Sequence, residues 1–352
     1  MSGDAPRKAT VAYRLFGLTI ACYRPIAGLD LRRIDAPVAP DVEIFGGGVA
    51  MPATIVREDR LELAQTDDGL FLRVPSVARF LIQSGCHITV SRDDGVADDV
   101  VDLFLTGTVL GAILHQRALL PIHCNAVRIG ASAFLFCGDS GAGKSTLAAW
   151  FEARGYDLFT DDLCAVRFDP AGRPLACAGL PRLRLWRESI TALGRGREVA
   201  RALPWEADKF ELTMARLPAA EELPIAGIYH LQIREDIVGG VEPLSGLGAV
   251  EAITSSIYRR RVADHLGRTP GYLADALRLI RAIPAFAFAR AWTFSSYEEE
   301  ARGVENHALQ LEGKRRIFLE NDALMRRPQT NDISKITLIN PNRREQGRKW
   351  AI

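Results

Sequence analysis

Between Ala133 and Arg154 the chain passes from an apolar run through a glycine-rich segment into a helix-forming one, and this succession limits the folds open to it. Ala133–Cys137 reads as a buried strand, 138–143 as a tight loop, and 144–154 as a helix ended by Gly155. The segment Gly138-Asp139-Ser140-Gly141-Ala142-Gly143-Lys144-Ser145 fits the spacing G-x-x-x-x-G-K-[ST] without a mismatch. Glycines permit a backbone whose N–H groups converge on one point. A helix starting near Lys144 turns the positive end of its dipole to the same point. Such a cradle suits a triphosphate: Lys144 reaches the β- and γ-phosphates, and the Ser145 hydroxyl can ligate Mg2+. Gly138 through Ser145, with Thr146, are therefore the expected nucleotide-binding residues.

Phosphoryl transfer also needs a carboxylate at the cation, and often a second near the attacking hydroxyl. Asp161 and Asp162 lie seventeen and eighteen residues after Lys144. A helix of this length descends about 16 Å from the loop. The strand expected over 156–160 climbs back about 17–20 Å, which returns both carboxylates to the level of the phosphates. The interval is short for an ATP-binding-cassette ATPase, whose second acidic motif lies far downstream. Leu244-Ser245-Gly246 reads as a turn, with no apolar run ending in Asp-Glu after it. The Asn-Lys-x-Asp motif of GTPases is absent.

The rest of the chain bounds the reading. A hydrophobic fraction of 48% supports a real core, and a net charge of +1 gives no general support to a nucleic-acid or membrane-surface role. Six scattered cysteines form neither a CxxC pair nor a zinc pattern, and read as small core hydrophobes. The longest greasy stretch, 104–114, is too short to span a bilayer. A cytoplasmic protein is the expectation. Residues 1–95 read as a β-rich region, with strands over 11–23, 41–45, 60–65, 69–74 and 87–91. Residues 98–116 read as a buried helix. Further strands are expected over 164–168, 175–186, 225–233 and 285–291, and helices over 248–266, 271–283 and 297–311. The last segment, 313–352, has ten Lys or Arg against four Asp or Glu and reads as a basic tail. The expected fold is α/β, with a catalytic region over 96–312.

The stretch from His123 to Asp162 resembles HPr kinase/phosphorylase. It carries a histidine at His123, a strand, the loop Gly138–Ser145, the turn Arg154-Gly155 and the pair Asp161-Asp162 in that family's order. A weaker likeness to HPr-kinase-related proteins runs from about Val74 to Trp186. The resemblance implies a P-loop kinase core like the HPr kinase C-terminal domain, with ATP and Mg2+ as cofactors and a homo-oligomeric assembly. It implies that Asp161 is the general base for a serine hydroxyl, that Asp162 and Ser145 serve the metal, and that His123 sits beside the acid/base aspartate. Thr146 stands where HPr kinases usually carry Glu, and the Arg-Gly-Leu-Gly-Ile signature of the true HPr kinases is missing downstream. These departures argue against HPr itself as substrate. Some HPr-kinase-like proteins of this size phosphorylate the C-terminal serine of lasso-peptide precursors, so a peptide or small-protein acceptor is expected.

Arg182 and Arg184 share one face of an extended segment. They are either substrate- or phosphate-binding residues or a solvated strand face, and Lys209, in a loop-like stretch, is a further substrate candidate. Two other functions stay open: a small-molecule kinase on the same fold, and a nucleotide-binding regulatory module without turnover.

Overall fold

A computed structural model of the chain describes residues 10–35, 39–58, 60–196, 199–203, 206–214, 217–234, 240–291 and 294–325. Those up to Gly313 form one compact unit, and a second unit begins at Lys314. Apart from one 3-10 turn at Asp30–Arg32, the regular elements of the first stretch are strands: β1 (Val11–Leu15), β2 (Leu18–Cys22), β3 (Arg33–Ile34), β4 (Val42–Gly46), β5 (Val56–Glu58), β6 (Leu61–Thr66), β7 (Gly69–Val74), β8 (Ala78–Gln83) and β9 (His87–Arg92). They make one sheet in the order β3-β1-β2-β4-β9-β8-β7-β6-β5. The expected strand over 11–23 is a hairpin, because Phe16 and Gly17 both take positive φ and reverse the chain. β8 has no counterpart in the sequence reading, although Ala78, Phe80 and Ile82 alternate into the core.

The helix expected over 98–116 forms as α1 (Asp98–Phe104) and α2 (Leu110–Gln116), joined by a π-helical turn at Leu105–Val109. The Thr106 hydroxyl donates to the Asp102 carbonyl at 2.7 Å, a local bond that competes with the regular ladder. Gly107 and Gly111 leave room for the Tyr258 ring; a Cβ at Gly111 would come within 2.9 Å of it. Val101, Val109 and Ile113 join β-sheet residues such as Ile20, Leu72 and Phe80 in one apolar cluster.

The second sheet carries the site. Its strands are β10 (Leu120–Ile122), β11 (Cys124–Ile129), β12 (Ser132–Gly138), β13 (Asp157–Thr160), β14 (Cys164–Phe168), β15 (Pro174–Cys177), β19 (Glu222–Ile233), β20 (Gly240–Leu244) and β21 (Ala285–Arg290). The order is β10-β14-β15-β19-β12-β11-β13, with β21 on β19 and β20 on β21. β12 and β19 pair in parallel, as do β19 and β21; β11 runs antiparallel to β12 and β13. The carboxyl ends of β12, β13 and β21 and the amino end of β11 therefore meet at one edge. A third sheet, β16 (Arg182–Trp186), β17 (Val199–Leu203) and β18 (Glu206–Thr213), has β18 in the middle. Lys209 thus lies on a strand, not in the expected loop.

The helices α3 (Lys144–Ala153), α4 (Arg187–Ala192), α5 (Gly246–Ser255), α6 (Arg260–His265), α7 (Thr269–Ala282) and α8 (Tyr297–Met325) complete the described chain. α3 lays Leu147, Ala148 and Phe151 on the sheet, where Phe151 stacks on Phe136 at 5.4 Å between centroids. Burial of Leu147 and of Phe151 stabilises by about 1.5–3 kcal/mol each. The helix expected over 248–266 is broken at Arg259, which takes a left-handed φ of 48° between α5 and α6. Leu244-Ser245-Gly246 is the turn between β20 and α5, as its sequence suggests. α8 continues to Met325, so the first part of the segment read as a tail is helical. The remainder of that expectation, residues 326–352, lies outside the described residues. No described helix is long and apolar enough to cross a membrane.

Candidate functional site

The glycine loop joins β12 to α3 as its sequence implies. Gly138, Gly141 and Gly143 take φ values of 133°, 89° and 85°. A Cβ at Gly138 would stand 2.6 Å from the Leu231 carbonyl oxygen, so glycine is required there twice over. The Lys144 ammonium is buried and donates to the carbonyls of Gly138 at 2.8 Å and Asp139 at 2.9 Å. Burial lowers its pKa. Thr146, on the first turn of α3, shares a 2.9 Å hydrogen bond with Ser189 of α4 and so ties the two helices together.

β13 ends at Thr160 and delivers both aspartates to this edge. Asp161 is buried at 1% exposure. One carboxylate oxygen accepts from the Ser145 hydroxyl at 3.2 Å, and the other accepts from the Arg184 backbone N–H at 2.9 Å. Burial, reinforced by the charge of Asp162, pushes its pKa up to about 6 against the opposing pull of Arg184. Asp162 takes a left-handed φ of 69°, uncommon outside glycine. His123 Nδ1 lies 3.0 Å from the Asp162 backbone carbonyl and 3.1 Å from its carboxylate, which is also 3.7 Å from the Arg184 guanidinium. Burial alone would raise its pKa, but the His123 hydrogen bond and charge, with Arg184 and Arg182, outweigh that and hold it well below the usual range. Ser145 is therefore bonded to Asp161, and Asp162 to His123. The resemblance had paired Ser145 with Asp162.

The two arginines differ. Arg184 reaches Asp162 and also Glu211, at 3.4 Å. Arg182 is buried at 3% exposure, donates to the Thr106 hydroxyl at 3.0 Å and approaches Glu211 at 3.6 Å. It belongs to the scaffold behind Arg184 and does not line the cleft, which corrects its assignment as a substrate residue. The cleft measures about 730 Å³. Its walls include Ser140, Gly141, Gly143, Lys144, Ser145, Thr146, Asp161, Asp162, His123, Arg184 and Lys209. Gly138 and Asp139 instead hold the Lys144 ammonium through their carbonyls, and Ala142 is buried in the cluster beneath α3.

Several lining residues were not singled out in the sequence, among them Trp186, Phe294, Arg290 and Asn125. Trp186 and Phe294 are exposed aromatics on the cleft, and Lys209 lies 5.4 Å above the Trp186 ring. Arg290, at the end of β21, lies so close to the loop that a Cβ at Gly143 would meet its guanidinium at 2.0 Å. Asn125, on β11, contributes a buried amide. None of these is near the loop in sequence.

Ser145, Asp161 and Asp162 offer hard oxygen donors, the set that suits Mg2+. Among the described residues no three His, Cys, Asp or Glu side chains form a cage for a metal ion. Mg2+ does not need one, since it takes one or two carboxylates and completes its shell with phosphate oxygens and water. No family model matches the chain, and no curated protein matches it by sequence. Among solved structures, the HPr(Ser) kinase/phosphatase from Coxiella burnetii is similar at 11% identity and a TM-score of 0.31, over 56% of this chain and 96% of that chain. This is a distant structural relation, and the chemistry argued for the site rests on its own geometry.

Proposed function

We propose that the chain is an ATP- and Mg2+-dependent kinase that transfers the γ-phosphoryl group to a serine hydroxyl of a peptide or small protein, such as the C-terminal serine of a lasso-peptide precursor. The observation that carries this reading is the meeting, at one sheet edge, of the glycine loop with two aspartates in different bonding states. A module that only binds nucleotide has no use for the second carboxylate and its histidine. The strand-rich first ninety-five residues are assigned to acceptor recognition within the same reading.

The residues divide the work as follows. Backbone N–H groups of 139–146 and the Lys144 ammonium bind the phosphates. Ser145 and Asp161 hold the cation, since they already share a hydrogen bond. When bound, Mg2+ neutralises charge developing between the β- and γ-oxygens. Asp162, backed by His123, orients the attacking hydroxyl and takes its proton late; its lowered pKa makes it a weak base, and a loose, metaphosphate-like transition state asks little of one. This exchanges the two aspartate roles implied by the resemblance. The raised pKa of Asp161 would favour it as the base, but a cation at Ser145 removes that advantage by stabilising the carboxylate. Arg184, between Asp162 and Glu211, fixes the direction of the Asp162 carboxylate.

Phosphoryl transfer measured against Mg2+ concentration tests both the function and the division. Asp161→Asn should raise the Mg2+ requirement. Asp162→Asn should bind MgATP normally and lose transfer by about 100-fold or more. Transfer left intact by Asp162→Asn would refute the assignment.

A further inference from the structure

Asn125 is a polar residue where the fold would favour an apolar one. It lies on β11 in phase with Val127 and Ile129, which pack in one cluster with Leu147, Ala148 and Phe151 of α3. Its side chain is thus on the α3 side of the sheet. It is 0% exposed, and among the described residues neither its Oδ1 nor its Nδ2 has a hydrogen-bond partner. Leaving both ends of a buried amide without a protein partner is costly, and native folds rarely do so without a reason. The amide also lines the cleft.

The strand register fixes its level. Cys124 faces Cys137, the last residue before Gly138, and Ala126 faces Thr160, the last before Asp161. Asn125 therefore lies between the start of the glycine loop and the aspartate pair, two residues after His123, which immediately precedes the strand. A carboxamide offers donors at one end and an acceptor at the other. A phosphate oxygen is only an acceptor, and water on a cation is only a donor toward protein. A carboxylate at 125 would repel the phosphate, and a hydrocarbon would satisfy neither group.

We infer that Asn125 is a binding residue for the terminal phosphates of a Mg2+-bound triphosphate, with Nδ2 donating to a phosphate oxygen and Oδ1 accepting from cation-held water. The inference rests on the kinase reading above and adds to it a residue outside the glycine loop and the aspartate pair. It is also independent of the nucleobase, because Asn125 lies level with the start of the glycine loop and the aspartate pair.

The test compares wild type with Asn125→Leu, which has similar volume and no polar atoms. Calorimetric affinity for MgATP and for Mg-tripolyphosphate is measured on the full chain, with the unfolding midpoint of the ligand-free protein alongside. The expected result is a loss of about 10- to 100-fold in affinity for both ligands, with a ligand-free midpoint equal to or above that of wild type. Asn125→Ala carries the same binding expectation and replaces the leucine variant if that one does not fold. Unchanged affinity in a folded variant overturns the role of Asn125 while leaving the kinase reading intact. A lowered ligand-free midpoint with unchanged ligand affinity also overturns it, because Asn125 would then serve the fold. Failure of wild type itself to bind either ligand overturns the kinase reading and this inference together.

Discussion

Replacing Asp161 by Asn should make the ligand-free protein more stable at neutral pH. Asp161 is 1% exposed, and burial together with Asp162 raises its pKa from 3.8 to about 6. The native state thus binds this proton more tightly than the unfolded chain does. Between about pH 4 and pH 6 the native protein carries more bound protons at this site, so stability falls as pH rises. A tenfold change in proton affinity is worth about 1.4 kcal/mol, so the whole interval amounts to about 3 kcal/mol. Asn preserves the shape, can accept from the Arg184 N–H and can donate to Ser145, but needs no charge in the interior. Asp162, whose pKa is lowered, contributes in the opposite sense: its stabilisation is present above the ordinary carboxylate range and is lost on acidification. It is present in both proteins, so the difference between them isolates Asp161. Urea unfolding of wild type and Asp161→Asn across pH 3 to 8 should show the variant about 3 kcal/mol more stable at pH 7, converging below pH 4. A difference that does not change with pH, or a variant weaker at every pH, would refute the account of a destabilised buried carboxylate.

Arg184→Ala should cost about 3 kcal/mol in urea unfolding, because it leaves Asp162 and the buried Glu211 each short of a cation. Gly143→Ala should lose about 1–3 kcal/mol and weaken MgATP binding, since its φ of 85° is left-handed and its Cβ would press on Arg290; denaturation and calorimetry check this. His123→Ala should keep MgATP affinity within a factor of about 3 and slow transfer by about 10- to 100-fold, read in single-turnover kinetics.

The strand, loop and helix from Ser132 to Ala153 were legible because each position there is fixed by a local requirement: glycine where φ is positive, apolar residues where the strand is buried, lysine and serine at the helix start. The return of β13 to the same edge followed from counting residues. Pairings across the sheet were not legible. Glu211 contacts both Arg182 and Arg184 from β18, a strand whose alternating polar residues give no clue that one of them is buried. Nothing in the sequence marks Asn125 between Cys124 and Ala126, and only the register with β12 and β13 gives it a position in the cleft. Which aspartate meets Ser145 could not be read from two adjacent identical residues; the structure gives Asp161 that bond and puts Asp162 in a left-handed conformation. The helical continuation of α8 past Leu311 was hidden by a run of basic residues that reads equally well as a solvated tail.

The most direct measurement of the central claim is mass spectrometry of serine-containing peptides incubated with the protein, ATP and Mg2+, with Lys144→Ala as control. Peptides ending in serine, including any encoded beside this gene, form the first panel. The account predicts the mass gain of one phosphoryl group, mapped to a serine, with wild type and not with Lys144→Ala, whose loop has lost its buried ammonium. Tight MgATP binding by wild type with no phosphoryl gain on any peptide would contradict a peptide kinase, and ATP left unconsumed with metabolite hydroxyls as well would contradict a kinase altogether.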